Sequence, residues 1–174
     1  MVKYINKVVP DAFHGTSKTI AEHIIRTKKF KPSTGNDCFL GDGIYFFEAG
    51  KEHAKWWAHN RYPGQQIGII IAEIQLGKCL DLSDPVHLEL VKLTKNKIEK
   101  TEFAKKITDT LVINFLTNKI DIEIETVRGY FPSSPKEKIF EGSRIYQYLH
   151  IVICVKRQEN ILTFNLIQGA KNDT

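Results

Sequence analysis

Cysteine is scarce in this sequence: Cys38, Cys79 and Cys154 lie far apart, with no CxxC pair and no histidine or second cysteine at zinc-finger spacing. Neither a disulfide framework nor a structural metal site is expected. Long apolar runs are missing as well, which excludes a membrane-spanning helix. The opening segment MVKYINKVVP carries no apolar stretch suited to a signal peptide, so a cytoplasmic protein with reduced thiols and no membrane partner is expected. No internal repeat is present.

What is there is a chain of 174 residues, 42% hydrophobic, enough to bury one core. A single domain over residues 1–174 is expected. The formal charge is +5 and the isoelectric point near 9.0, with lysines concentrated in Arg26 to Lys31 and Lys92 to Lys106. These tracts read first as solvated helix faces; the charge permits a polyanionic partner without requiring one.

Ser17 or Thr19 can cap a helix from Lys18 to Thr27, directly after the segment FHGTS. Pro32 to Asp37 is turn chemistry. Lys51 to Asn60 reads as a second helix, and Ile67 to Leu76, β-branched and nearly continuous, reads as a strand buried on both faces. Helical spacing returns over Val86 to Leu93 and again from about Lys100 to Leu116. Lys119 to Gly129 is mixed, FPSSP is a surface loop, and strands are expected in part of Lys138 to Ile145, then at Leu149 to Lys156 and Ile161 to Leu166. Strands and short helices are segregated rather than regularly alternating, which favours an α+β fold with an antiparallel or split sheet over a doubly wound one.

Two segments carry candidate chemistry. In FHGTS, His14 precedes Gly15 and Thr16 at the end of a strand, where the missing side chain of glycine allows close approach to the backbone. Taken alone, a histidine satisfied in a turn explains it as well. In GDGIYFFE, Gly41 and Gly43 lead into Tyr45, and Trp56 follows eleven residues later beside Ala54 and Ala58. Two aromatic planes can sandwich a flat ring, and they can equally be ordinary packing.

In order and together, His14-Gly15-Thr16 and the ungapped Gly41 to Phe46 resemble the ADP-ribosyltransferase superfamily, in its diphtheria-toxin-like and poly-ADP-ribose-polymerase-like branch with a His, Tyr, Glu signature. The match covers residues 12 to 60 well; Ile69 to Leu82, with its Leu-Gly-Lys, resembles the strand after the second motif. The resemblance implies a split antiparallel sheet with flanking helices and a central cleft for NAD, used as co-substrate. It implies that His14 orients the ribose and the Gly15 backbone pairs with the carboxamide. It also implies that Thr16 and Gly43 line the cofactor, that Tyr45 and Trp56 hold the nicotinamide flat, and that Lys31 lies near the adenosine half. The third motif falls in KEKIFEGSRIYQYLHIVICV, with Glu137 as first choice and Glu141 as second for the carboxylate that stabilises the developing ribosyl cation. At this length the resemblance implies mono-transfer to a macromolecular acceptor, protein or nucleic acid, with a toxin or defence role and an antitoxin or immunity partner left open. Two other readings stand beside it. One is an inactive NAD-, ADP-ribose- or RNA-binding module of the same fold. The other is an RNA 2′-phosphotransferase, which would need converging arginines where Arg26, Arg61, Arg128, Arg144 and Arg157 are scattered.

Overall fold

The computed structural model describes residues 4–35, 37–101, 106–119, 123–132, 138–141, 143 and 149–167. Strand β1 (Tyr4–Ser17) runs straight into helix α1 (Lys18–Thr27), whose N-cap Ser17 accepts from the Ile20 N–H. Then follow β2 (Ile44–Glu48), α2 (Lys51–Arg61), β3 (Ile67–Asp81), α3 (Pro85–Glu99), α4 (Asp109–Lys119), β4 (Thr126–Pro132), β5 (Leu149–Val155) and β6 (Ile161–Ile167).

The architecture is α+β, with six strands in the order β1-β2-β5-β4-β3-β6 and a further pairing of β1 with β3. That pairing bends the first five strands into a ring of two halves, β1 with β3 and β2 with β5 and β4. β1 and β3 share a long antiparallel ladder from Tyr4↔Lys78 to Ser17↔Ile67. The halves meet at two short seams: Ala12↔Glu48 and Phe13↔Phe47 between β1 and β2, and Cys79↔Thr126 to Asp81↔Arg128 between β3 and β4. The second seam is parallel, so the sheet is mixed rather than wholly antiparallel as expected from the sequence.

Alternation along the strands sends residues to three cores. Val9, Ile70, Ile74, Phe46, Ile153 and Val155, with Ile24 of α1, fill the space between the two halves. Leu40, Leu80, Val127, Val152 and Cys154 pack on Ile113 and Leu116 of α4. Phe13, Ile69 and Ala54 form a small third cluster under α2. Cys38, Cys79 and Cys154 are all buried as free thiols.

Several boundaries differ from those read in the sequence. β3 does not end at Leu76; Gly77, at φ +59°, turns the strand around the Glu125 carboxylate, which accepts from the Lys78 N–H at 2.9 Å, and beyond Lys78 its pairing passes from β1 to β4 as far as Asp81. α3 extends to Glu99, while the next helix begins only at Asp109. The mixed stretch before Gly129 contains β4, a strand with Arg128 and Gly129 in its middle. The strand expected in part of residues 138–145 is not formed by the described residues there, where a bridge at 138 is followed by a bend and a turn through 141; residues 142, 144 and 145, the end of the FPSSP loop and the tail from Gly169 to Thr174 lie outside the described residues.

Arg128 ties the two seams together. Its Nε and Nη2 donate to Glu48 Oε2 and Oε1 at 2.6 and 3.0 Å, and Nη1 donates to Asp81 Oδ2 at 3.0 Å and also to the Tyr130 hydroxyl. Glu48 belongs to the β1–β2 seam and Asp81 to the β3–β4 seam. Arg128 is 6% exposed and the side chains of Glu48 and Asp81 only 14% and 16%, so removing it takes the main partner from two largely buried carboxylates. Arg128→Met should lower unfolding stability by about 3–5 kcal/mol, measured by urea denaturation. A loss below about 1 kcal/mol would mean that the cluster is solvated like a surface pair.

Candidate functional site

The β1–β2 ladder stops at Phe13↔Phe47 although both strands continue past it, β1 on to Ser17 and β2 back to Ile44. His14 stands where they part. Its Nδ1 lies 2.8 Å from the Tyr45 carbonyl oxygen. A carbonyl only accepts, so Nδ1 carries the proton and Nε2 is left as an acceptor. The ring meets Phe30 edge-on at 5.6 Å and Phe46 at 5.5 Å. Burial pushes its pKa below 6.5, only partly offset by the bond to Tyr45, and the imidazole is neutral at pH 7.

Tyr45 points the other way. Successive side chains alternate across a strand, so Phe46 faces His14 while the Tyr45 ring enters the core beside α4 and meets Phe39 edge-on at 5.8 Å. Its hydroxyl donates to the Gly41 carbonyl at 2.7 Å and accepts from the Leu40 N–H at 3.0 Å. Burial raises its pKa, keeping the phenol protonated. Tyr45 thus meets His14 through its carbonyl and not its ring, a correction to the shared pocket expected from the sequence.

The expected pairing of Tyr45 with Trp56 is corrected as well. Ala54 and Ala58 are fully buried, and α2 sits so close to β1 that a Cβ on Gly15 would fall 2.0 Å from the Ala54 carbonyl oxygen. Two residues on from Ala54, Trp56 must then face outward, and it is 66% exposed. No ring contact joins it to Tyr45 among the described residues. Gly15 is therefore required by helix packing, whatever it offers a ligand.

The other glycines of the second motif also have packing reasons. Gly41, at φ +76°, is enclosed by Asn114, Lys156 and Ile113, and a Cβ on Gly43 would fall 2.5 Å from Cys154 Sγ. Lys156 Nζ donates to the carbonyls of Leu40 and Asp42, each at 2.7 Å, and Asn114 Oδ1 accepts from the Asp42 N–H at 2.7 Å. Burial lowers the pKa of Lys156. Thr16 is buried, its hydroxyl 3.4 Å from that of Tyr62. Lys31 is exposed in the segment after α1. Glu141 lies exposed in a turn, Glu137 lies outside the described residues, and the strand that pairs with β2 opens at Leu149 with neither acid.

Sequence reasoning passed over Glu48, Asp81 and Arg128, and also Lys156. The available signal was charge inside otherwise apolar strands, in IYFFE and TVRGYFP. His53 and His150, distant in sequence, also come together: their rings lie 5.1 Å from each other and both touch Phe47. The described cavities lie elsewhere. One of about 690 Å³ runs between α3 and α4, lined in part by Val91, Lys95 and Val112, and one of about 180 Å³ lies over β3 and β6.

Among known proteins, the chain is similar to the uncharacterized protein MJ0359 of Methanocaldococcus jannaschii, with 27% identity over 154 residues that cover 79% of this chain and 70% of that protein. No protein-family model and no solved structure matches it. Among the described residues no helix is long and apolar enough to cross a membrane.

The His14 environment sets a pH dependence. Its pKa is 6.5 when unfolded and lower when folded, so below pH 6.5 the unfolded chain binds more protons. Stability present above that pH is lost as pH falls through the window. His150 acts in the same direction, through burial and then the neighbouring His53. The melting temperature should fall between about pH 7 and about pH 5.5, and His14→Gln should flatten the slope; a slope unchanged by that variant would place the protonation elsewhere.

Proposed function

We propose that the chain is an NAD-dependent mono-ADP-ribosyltransferase with an ADP-ribosyltransferase-like split sheet, acting in the cytoplasm on a macromolecular acceptor. The observation that carries the reading is the neutral His14, held by the Tyr45 carbonyl at the point where β1 and β2 part. This is the junction of the two motif segments on which the family resemblance rests. The halved ring, with His14 on β1, Tyr45 on β2 and β5 beside β2, supports the same reading.

In this reading His14 Nε2 accepts a ribose hydroxyl and fixes the sugar. The C–N bond between ribose and nicotinamide breaks, and its electron pair leaves with the neutral nicotinamide. A lone pair of the acceptor closes on the same carbon, and the acceptor's proton passes to a carboxylate or to water. The carboxylate is assigned to Glu137, with Glu141 as the alternative, and its role is electrostatic support of the positive sugar. The second reading is a module of the same fold that binds NAD, ADP-ribose or RNA without turnover. Leu149, apolar and 53% exposed at the opening of β5, favours it.

Release of nicotinamide from labelled NAD in the presence of cell lysate separates the two, and treating the product with protease or nuclease identifies the acceptor. His14→Ala should reduce turnover by about two to three orders of magnitude with the circular dichroism spectrum unchanged, since it removes an orienting bond. Loss of fold with no effect on ligand binding would reduce His14 to a core residue. Glu137→Gln should abolish transfer while NAD binding stays near wild type, a loss of about 3 kcal/mol or more in the chemical step. If Glu141→Gln is the inactive variant instead, the register shifts by four residues and the mechanism stands; if both transfer normally, the carboxylate role fails.

A further inference from the structure

Trp56 and Trp57 are the two tryptophans of the whole chain, adjacent on α2 and 66% and 43% exposed. Because Ala54 and Ala58 hold the inner face, both indoles project from the flank and outer side, along a stripe that continues one turn on to Asn60. Around them, Arg61 lies exposed one turn beyond Trp57, Lys51 and Lys55 are half-buried on the flank, and the exposed carboxylate of Glu52, one turn before Trp56, is engaged by Lys55 at 2.9 Å. Lys18 approaches the same end of the molecule through its bonds to Gln66, just beyond the helix.

We propose that this face of α2 docks single-stranded nucleic acid, with Trp56 and Trp57 stacking on bases and the surrounding cations following the phosphates. KEHAKWWAHNR contains no valine, isoleucine, leucine or methionine, so it lacks the aliphatic stripe at three- and four-residue spacing by which an amphipathic helix lies in a groove. Flat rings interleaved with cations are instead the chemistry that holds unpaired bases without reading their sequence. The net charge of +5 is complementary to a polyanion. The inner face of the same helix lies on Gly15, next to His14, so the helix stands between a strand on its outer face and the proposed transfer site, and only the strand's overhang beyond a helix end can reach that site. That the docked strand is the acceptor rests on the transferase reading; the docking does not.

The test uses the full chain without NAD and labelled single strands of roughly 12 nucleotides, as RNA and as DNA of one mixed sequence, with the duplex as control. Since both tryptophans sit on the platform, binding should quench most of the intrinsic fluorescence, and affinity should fall with salt. Trp56→Ala and Trp57→Ala should each weaken binding on the order of tenfold, with unchanged circular dichroism, and Trp57→Phe should restore part of the loss. Preference for RNA or for DNA names the strand, and either supports the proposal. Absence of quenching at low salt, or duplex binding that the alanine variants do not alter, overturns it. So does a tryptophan-dependent dimer in sedimentation with no oligonucleotide bound, which would make the face a contact between copies. Nicotinamide release is read separately, so docking without turnover removes the transferase reading alone, and turnover without docking removes the platform alone.

Discussion

The guanidinium of Arg128 is the contact on which the ring of strands depends. Two halves that meet through two residue pairs at one seam and three at the other have few hydrogen bonds to resist opening. One buried cation grips an acid from each seam, so neither seam can part without pulling an acid away from its guanidinium. Lys7, 3.6 Å from Glu48 on the solvent side, balances the second carboxylate. The β1–β2 pairing, fixed at Glu48, ends one pair further on at Phe13 and Phe47, and the two strands continue unpaired with each other beyond it.

That divergence gives His14 its character. In a continuous ladder its neighbours would be backbone groups of β2 in register; here the ring itself reaches the Tyr45 carbonyl and is wedged between Phe30 and Phe46. A polar ring in such a setting is neutral and of one tautomer, with a single acceptor nitrogen to present. The other motif residues have structural duties. Gly15 admits α2, Gly41 and Gly43 admit α4 and β5, and Tyr45 pins the loop from Leu40 to Gly41.

Local pattern was legible where local forces decide. The Ser17 cap, the helix over Lys18–Thr27 and the strand from Ile67 stand as the sequence indicates, because capping and side-chain periodicity are read from neighbours, although Ile71, Glu73 and Gln75 leave one face of that strand half-buried. β4 was not legible: Arg128 and Gly129 lower its strand propensity, and it forms because β5 and the end of β3 flank it. The pairing direction of β3 with β4 is likewise a property of distant segments. Trp56 illustrates a different failure. Its spacing from Tyr45 suggested a shared ligand, yet Ala54 and Ala58, four residues apart and both small, already marked the side of α2 that would lie against the sheet.

The free thiols turn the ring into its own clock. Cys79 lies in the β3–β4 seam and Cys154 pairs with Tyr45 in the ladder of β2 and β5, both wholly buried. Burial raises the pKa of Cys79 to about 11 and also raises that of Cys154, so neither is a thiolate while folded. An alkylating reagent can label either one only during an excursion that exposes it. The relative labelling rates of the two sulfurs therefore record which part of the sheet breathes first, with no probe added to the protein.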